Sequence, residues 1–191
     1  MGMAQDKFKV KSSKFKIMKL FGVAVFFLIF FFAMVGSVFA QSNYVLPYPS
    51  SMPGSLLYKS HLIHENFSRY WYFGDFGQFD YNLKMSDKYL VEAKTLFEYK
   101  QYFLGDKALR KSDFYFSNIR PNLIKAEKDN KDIVQKKSVL KEAARKHIEI
   151  LIEMEIDTPD IFNWEPEKVL STDLYLKRDI ENAINIRKNN L

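Results

Sequence analysis

Residues 122–156 read NLIKAEKDNKDIVQKKSVLKEAARKHIEILIEMEI, and the pattern of this stretch decides the fold class. Apolar and small side chains recur in it at steps of three, four and seven residues, with charged side chains between them. This spacing is typical of one long amphipathic helix that faces a partner helix. The stripe consists of Ile133, Leu140, Ala143, Ala144, His147, Ile150, Leu151 and Met154.

Amphipathic segments on both sides of this stretch predict four more helices. They are a first helix that starts at Leu56 after a Ser55 cap, a second over 79–102 and a third over 104–118 with Gly105 in the turn region between them, and a last helix opened by Glu165-Pro166-Glu167. No alternation of apolar and polar residues persists long enough to predict a sheet. The sequence therefore predicts an all-α fold, an antiparallel bundle of about five helices in which the second and third form a hairpin.

The first forty residues have the layout of an export segment. Six lysines lie between Lys7 and Lys19, and an uncharged apolar run follows, with small side chains at Val38 and Ala40 before Gln41. These are the features that translocation and signal peptidase require. The 21 uncharged residues 20–40 are also long enough to cross a bilayer as a helix, so a cleaved signal peptide and a retained membrane anchor both stay open. In both cases the chain after Ala40 is expected outside the cytoplasm.

The charge of the chain belongs mainly to this leader. Without its six lysines and one aspartate, Lys+Arg falls from 29 to 23 and Asp+Glu from 23 to 22, which leaves a net charge of +1. A nucleic-acid-binding domain would need a basic field that the rest of the chain lacks, so no nucleic-acid partner is predicted. The chain has no cysteine, which excludes thiol chemistry and thiolate metal sites.

The predicted domain boundaries follow from this composition. Residues 1–40 are the signal peptide or anchor, residues 41–55 are a tether rich in proline and serine, and residues 56–191 are an extracytoplasmic helical domain. The tether sequence QSNYVLPYPSSMPGS is too punctuated by proline for a helix and is expected to be extended.

Eight aromatic residues crowd the stretch 67–81, which Gly74 and Gly77 interrupt. Rings at a helix corner usually fill the core where two helices meet, and this is the favoured interpretation. The alternative is an exposed platform that contacts a ligand or a partner, for which the candidates are Tyr70, Trp71, Tyr72 and Phe76. Their exposure distinguishes the two interpretations.

A resemblance covers about Tyr44 to Phe116. The order YVLPYP, MPGSLLY and, after the aromatic stretch, SDKYLVEAKTLFEYKQYFLGDKALRKSDFYF resembles an uncharacterised family of exported bacterial proteins known only as a domain of unknown function. The resemblance implies a location in the bacterial envelope and a helical fold, and it implies no reaction. No functional residue is carried over from it.

Two histidines are the only candidates for a metal site. His61 and His64 are three residues apart, which makes them neighbours on a helix, with Glu65 or the distant His147 as a third ligand. The spacing matches neither H-E-x-x-H nor H-x-x-E-H, so no metal and no cofactor is predicted.

No catalytic constellation is evident either, since the chain contains no G-x-S-x-G elbow, phosphate loop or dinucleotide glycine motif. We therefore expect no enzyme. The sequence favours a structural or protein-interaction module of the bacterial envelope, with an unidentified envelope protein as partner and with the membrane as a partner through residues 20–40 if the leader is uncleaved. The alternative is a binding module for wall glycan or a small apolar ligand that uses the rings of 67–81.

Overall fold

The structure is a computed structural model that describes residues 43–49, 52–168 and 170–191. The predictions made for residues 1–42, including the signal or anchor helix, lie outside the described residues. The described part is mostly helical, as predicted. Its elements are α1 (Leu56–Ser68), a 3-10 turn (Arg69–Trp71), α2 (Gly74–Glu98), α3 (Tyr102–Ser117), α4 (Ile119–Lys128), α5 (Val134–Ile156), β1 (Phe162–Trp164), β2 (Thr172–Leu174) and α6 (Leu176–Lys188).

The predicted helix over 122–156 is in fact two helices, α4 and α5. Asn130 has a φ of 57°, the left-handed conformation that asparagine tolerates better than most residues. The Lys131 N–H donates to the Ala126 carbonyl at 3.0 Å, which closes α4. Asp132 Oδ1 then accepts from the Val134 N–H at 3.0 Å and starts α5. The break falls in the polar run 128–132, which has no apolar side chain to hold a continuous helix against the core.

The last predicted helix begins later than expected, and the expectation of no strand was wrong. Residues 162–164 and 172–174 pair as a short antiparallel hairpin, with Phe162 opposite Leu174 and Trp164 opposite Thr172. The Trp164 ring stacks on Phe103 with their centroids 3.8 Å apart. Glu165-Pro166-Glu167 therefore lies in the loop of this hairpin, and α6 starts at Leu176.

Helices α2 and α3 form the predicted antiparallel hairpin. Ser86 Oγ donates to the Ser112 carbonyl at 3.1 Å, and a Cβ on Gly105 would lie 2.5 Å from the Phe97 ring. Gly105 thus belongs to the first turn of α3, where the two helices approach closely, and not to the turn between them.

A second antiparallel hairpin, α5 and α6, packs beside the first, and the two are joined by parallel contacts. Helices α2 and α5 run parallel, because residues further along α2 contact residues further along α5. Asp80 pairs with Lys136 at 2.5 Å, and Lys94 pairs with Glu153 at 2.9 Å. The parallel arrangement arises because α3 returns the chain to the N-terminal end of α2. Helix α4 packs on α2 there and leads into α5, which starts beside Asp80. The predicted antiparallel order holds within each hairpin and not between the hairpins.

The core of these helices has three layers. One apolar cluster lies around Leu90, Leu109, Leu151 and Ile180, and a second lies around Phe79, Phe116, Leu123 and Ala143. Between them is a buried polar layer, to which four helices each contribute from one turn: Ser86 and Asp87 from α2, Ser112 and the half-buried Asp113 from α3, His147 from α5 and Arg187 from α6. No helix in the described part of the chain is long and apolar enough to span a membrane.

Candidate functional site

The buried polar layer contains a histidine hydrogen-bonded to a carboxylate, an arrangement that acid–base catalysis also uses. His147 Nε2 lies 2.7 Å from Asp87 Oδ1, and the Tyr44 hydroxyl donates to Asp87 Oδ2 at 2.6 Å. Arg187 Nε points at His147 Nδ1 at 3.5 Å, which makes Nδ1 the acceptor and Nε2–H the donor to Asp87. Arg187 also pairs with Asp113 and donates to Ser112 Oγ at 2.8 Å.

This layer is closed to any substrate. His147 and Arg187 have no solvent-exposed surface, and Asp87 is 5% exposed. Burial lowers the pKa of His147, aided by the positive charge of Arg187 and opposed by Asp87. A neutral histidine between a carboxylate and a guanidinium satisfies the hydrogen bonds of both neighbours, so the layer fits a structural role.

A group of exposed apolar side chains lies on α1 and on the turn that follows it. Leu57 at the start of α1 is 66% exposed, and five further large side chains are between 59% and 81% exposed: Ile63, Phe67, Tyr70, Trp71 and Phe73. We call these five residues the aromatic face. Ile63, Phe67 and Tyr70 follow one another at steps of four and three residues, which puts them on one side of the helix. An exposed cluster of this kind marks an interaction site more often than scattered apolar residues do.

The opposite side of α1 attaches to the domain through polar groups. Glu65 forms an ion pair with Lys88, and it accepts a hydrogen bond from the Tyr89 hydroxyl at 3.0 Å. The Tyr58 hydroxyl donates to Glu92 Oε1 at 2.9 Å. Helix α1 is therefore held to the domain largely by polar groups, while Ile63 and Phe67 lie on its outer side among exposed polar residues.

Glu92 is the residue of this attachment whose hydrogen bonding is incomplete. It is 5% exposed, and its Oε2 has no hydrogen-bond partner. Burial raises the pKa of Glu92 above its ordinary value, although the hydrogen bond from Tyr58 and the charge of Lys88 act in the opposite direction. Burial likewise raises the pKa of the Tyr58 and Tyr89 hydroxyls, so both remain protonated donors.

The four predicted contact rings divide between two environments. Tyr70 and Trp71 are exposed, as the platform interpretation requires. Tyr72 packs against Tyr81 with the ring centroids 5.5 Å apart, and Phe76 packs against the second apolar cluster. The favoured core interpretation therefore holds for Tyr72 and Phe76, and it is wrong for Tyr70 and Trp71.

Phe67 and Phe73 belong to the predicted ring stretch 67–81 but were not among its four named contact residues, and Ile63 lies outside that stretch. The signal available for two of them was their spacing from Tyr70, which places Ile63 and Phe67 on its side of a helix. Nothing in the sequence showed that this side faces away from the domain.

The candidate metal ligands His61 and His64 are both exposed and line an open groove of about 640 Å³ between α1, Tyr48 and α2. Lys84 and Lys88 line the same groove, and two lysines disfavour a bound cation. No group of three or more metal-ligating side chains occurs among residues 43–49, 52–168 and 170–191.

Comparison of the chain with protein-family models, with curated proteins and with solved structures finds no match. The resemblance to an exported family of unknown function therefore stays a prediction.

Proposed function

We propose that this protein is an exported helical module of the bacterial envelope that binds another envelope component through the aromatic face. The observation that carries the proposal is the outward orientation of large apolar side chains on α1 and the turn that follows it. A helix whose polar side is bonded to the domain through Glu65 and Tyr58 holds Phe67 and Trp71 out in water unless something covers them.

Export is supported by the leader. A lysine-rich head, an uncharged apolar run and small residues before Gln41 are the features that translocation and signal peptidase require. The mass of the protein isolated from cells tests this part of the proposal. A mature chain that begins at Gln41 indicates cleavage, and a full-length chain in the membrane fraction indicates a retained anchor, whereas a full-length chain in the cytosol contradicts export.

The proposal assigns no catalytic role. The groups that could act together as acid and base, Asp87 and His147, are enclosed between two apolar clusters and capped by Tyr44. The other histidines, His61 and His64, lie at an open surface where water competes for every hydrogen bond.

The experiment that tests the binding proposal is photo-crosslinking in living cells. A photoreactive phenylalanine analogue replaces Phe67, and a second strain carries the analogue at Ile156, which is exposed to a similar extent at the end of α5. We expect an adduct with an envelope protein or lipid at position 67 in clear excess over position 156. Equal labelling at the two positions would show that the aromatic face has no bound component and would refute the proposal.

A second candidate function is binding of wall glycan by Tyr70 and Trp71. Their exposure favours it, because sugar rings stack on exposed aromatic side chains. Pull-down with purified cell wall tests it: retention that is lost on Trp71→Ala and kept on Ile156→Ala supports glycan binding. Equal retention of the two variants excludes it.

A further inference from the structure

We infer that the component bound by the aromatic face is the surface of a lipid bilayer that contains anionic lipids. The inference rests on the proposed function, since it names the partner of the same surface. Its test is chosen so that the two can fail separately.

The residue types of the face are those of the membrane interface. Tryptophan and tyrosine concentrate at the level of the lipid headgroups, and phenylalanine and isoleucine reach the acyl chains from a helix that lies in the interface plane. The face presents these four types together on one helix and its following turn, with Tyr70 and Trp71 beside Phe67. A site for a small molecule would ordinarily be concave, whereas these side chains project from a convex helix.

The charges around the face are suited to anionic headgroups. Lys59, Arg69 and Lys84 are exposed on α1, on the 3-10 turn and on the neighbouring turn of α2. Glu65 is the single carboxylate between residues 52 and 73, and its charge is already paired with Lys88. Anionic lipids attract exposed lysine and arginine near the surface, so the charge pattern favours binding in the same orientation as the rings.

The chain segment that precedes the domain also favours a bilayer as the component that the aromatic face binds. The uncharged run of residues 20–40 ends fifteen residues before α1 begins. Fifteen extended residues reach at most about 50 Å, so a retained anchor keeps α1 within that length of chain from a bilayer. A surface that meets its partner at this high local concentration can bind weakly and still remain occupied.

The attachment of α1 is compatible with such a contact. Its bonds to the domain come from Tyr58 and Glu65 on the inner side of the helix, so a bilayer can cover Phe67 and Trp71 without displacing them. Binding therefore needs no rearrangement of the core.

The test uses the two tryptophans of the full-length chain in vesicles. Trp164→Phe leaves Trp71 as the only tryptophan, and Trp71→Phe leaves Trp164, which stacks on Phe103 in the hairpin and serves as the matched control. Both variants are reconstituted with phosphatidylcholine alone or mixed with phosphatidylglycerol, in each case with and without brominated acyl chains. Helical circular dichroism verifies that each variant is folded.

We expect the brominated chains to remove most of the emission of Trp71, with a shift to shorter wavelength, and to leave Trp164 nearly unchanged. The quenching of Trp71 should increase with phosphatidylglycerol, and the double substitution Lys59→Gln and Arg69→Gln should remove that increase. Emission of Trp71 that is unaffected by brominated lipid, in vesicles that carry the chain, would overturn the inference.

Two further outcomes separate the inference from the proposed function. Shielding of Trp71 from aqueous acrylamide that grows with protein concentration, without quenching by brominated lipid, would mean that a second copy covers the face. A protein adduct at position 67 in cells, again without lipid quenching, would identify a protein partner. Either result overturns the lipid inference and leaves the binding proposal standing, whereas equal labelling at positions 67 and 156 defeats the proposal itself.

Discussion

Helices α1 and α2 are neighbours in sequence, yet they are held in the molecule by different forces. More than half of the residues of α2 are buried, whereas none of the described side chains of α1 is. Helix α2 packs apolar residues into both clusters and places Ser86 and Asp87 in the polar layer between them. Helix α1 is attached through Glu65 and Tyr58 and presents its apolar residues to the outside. The comparison shows that an apolar helix side is buried in the core in one region and left exposed to solvent in the next.

The largest effect is expected in the polar layer, which connects α2, α3, α5 and α6 by hydrogen bonds and an ion pair. Arg187→Met leaves the half-buried carboxylate of Asp113 without its partner and removes the donor to Ser112, and breaking a buried ion pair typically costs about 3–5 kcal/mol. Urea denaturation should show this loss in the free energy of unfolding. Arg145→Met, at an exposed pair with Glu142, is the control and should stay within about 0.5 kcal/mol. A loss below about 1 kcal/mol for Arg187→Met would mean that the two apolar clusters hold the helices without the layer.

The next prediction compares an apolar side chain from each region. Leu90→Ala empties a fully buried site between the helices and should lower the free energy of unfolding by about 2–5 kcal/mol. Phe67→Ala removes a larger side chain, but one that is 63% exposed, and should change stability by less than about 0.5 kcal/mol. The same denaturation measurement compares them. Comparable losses for the two variants would contradict the outward orientation of the aromatic face.

The attachment of α1 to the domain can be weakened without destabilising the core helices. Glu65→Gln removes the ion pair with Lys88, and we expect a local opening free energy lower by about 1–3 kcal/mol with little change in global stability. Hydrogen exchange should speed up for the amides of α1 and not for those of α5. Glu153→Gln, at the exposed pair with Lys94, is the matched control and should leave α1 unchanged. Faster exchange throughout the domain would show that α1 is part of the cooperative core.

The smallest effect concerns Glu92 and depends on pH. Because burial raises its pKa in the folded protein, the native state binds the proton more tightly than the unfolded chain does. The stability that Glu92 contributes is therefore fully present below its ordinary pKa of 4.5 and is lost as the pH rises through the raised value. Glu92→Gln keeps an acceptor for Tyr58 and should stabilise the protein by about 1 kcal/mol at pH 7.

That advantage should shrink as the pH falls below the pKa of Glu92, because the wild-type side chain then becomes neutral as well. Unfolding curves at neutral and acidic pH measure the difference between the two proteins. A difference that stays constant with pH would show that Glu92 keeps its charge, or loses it, equally in the folded and unfolded states.

Local chemistry made several features predictable. Ser55 caps α1 through its Oγ at 3.1 Å from the Tyr58 N–H, as its position before an apolar run predicts. The stripe from Leu140 to Met154 is buried as its period requires. The α2 and α3 hairpin follows from two amphipathic segments joined by a short connection.

Other features depended on contacts that the periodicity of a sequence does not contain. The hairpin of Phe162–Trp164 and Thr172–Leu174 exists where Trp164 can stack on Phe103, a residue some sixty positions earlier. The sequence also could not predict which rings of the stretch 67–81 are exposed and which are packed. Trp71 and Tyr72 are adjacent and chemically alike, yet Trp71 is exposed. Tyr72 is a packed ring because Tyr81 lies against it and the cluster of Tyr81, Met85 and Tyr89 lies beside it.

The sequence by itself determined that this chain is mostly helical and that its helices are amphipathic, because a period of 3.6 residues and the chemistry of helix caps are local properties. The tertiary structure decided which side of α1 faces outward, since the partners that fix it, Lys88, Tyr89 and Glu92, lie more than twenty residues further along the chain. It also decided that α2 runs parallel to α5, through contacts about sixty residues apart. An apolar side chain is more stable out of water, but the sequence does not show where it is buried. Only the packing of the assembled helices determines whether the protein itself buries it.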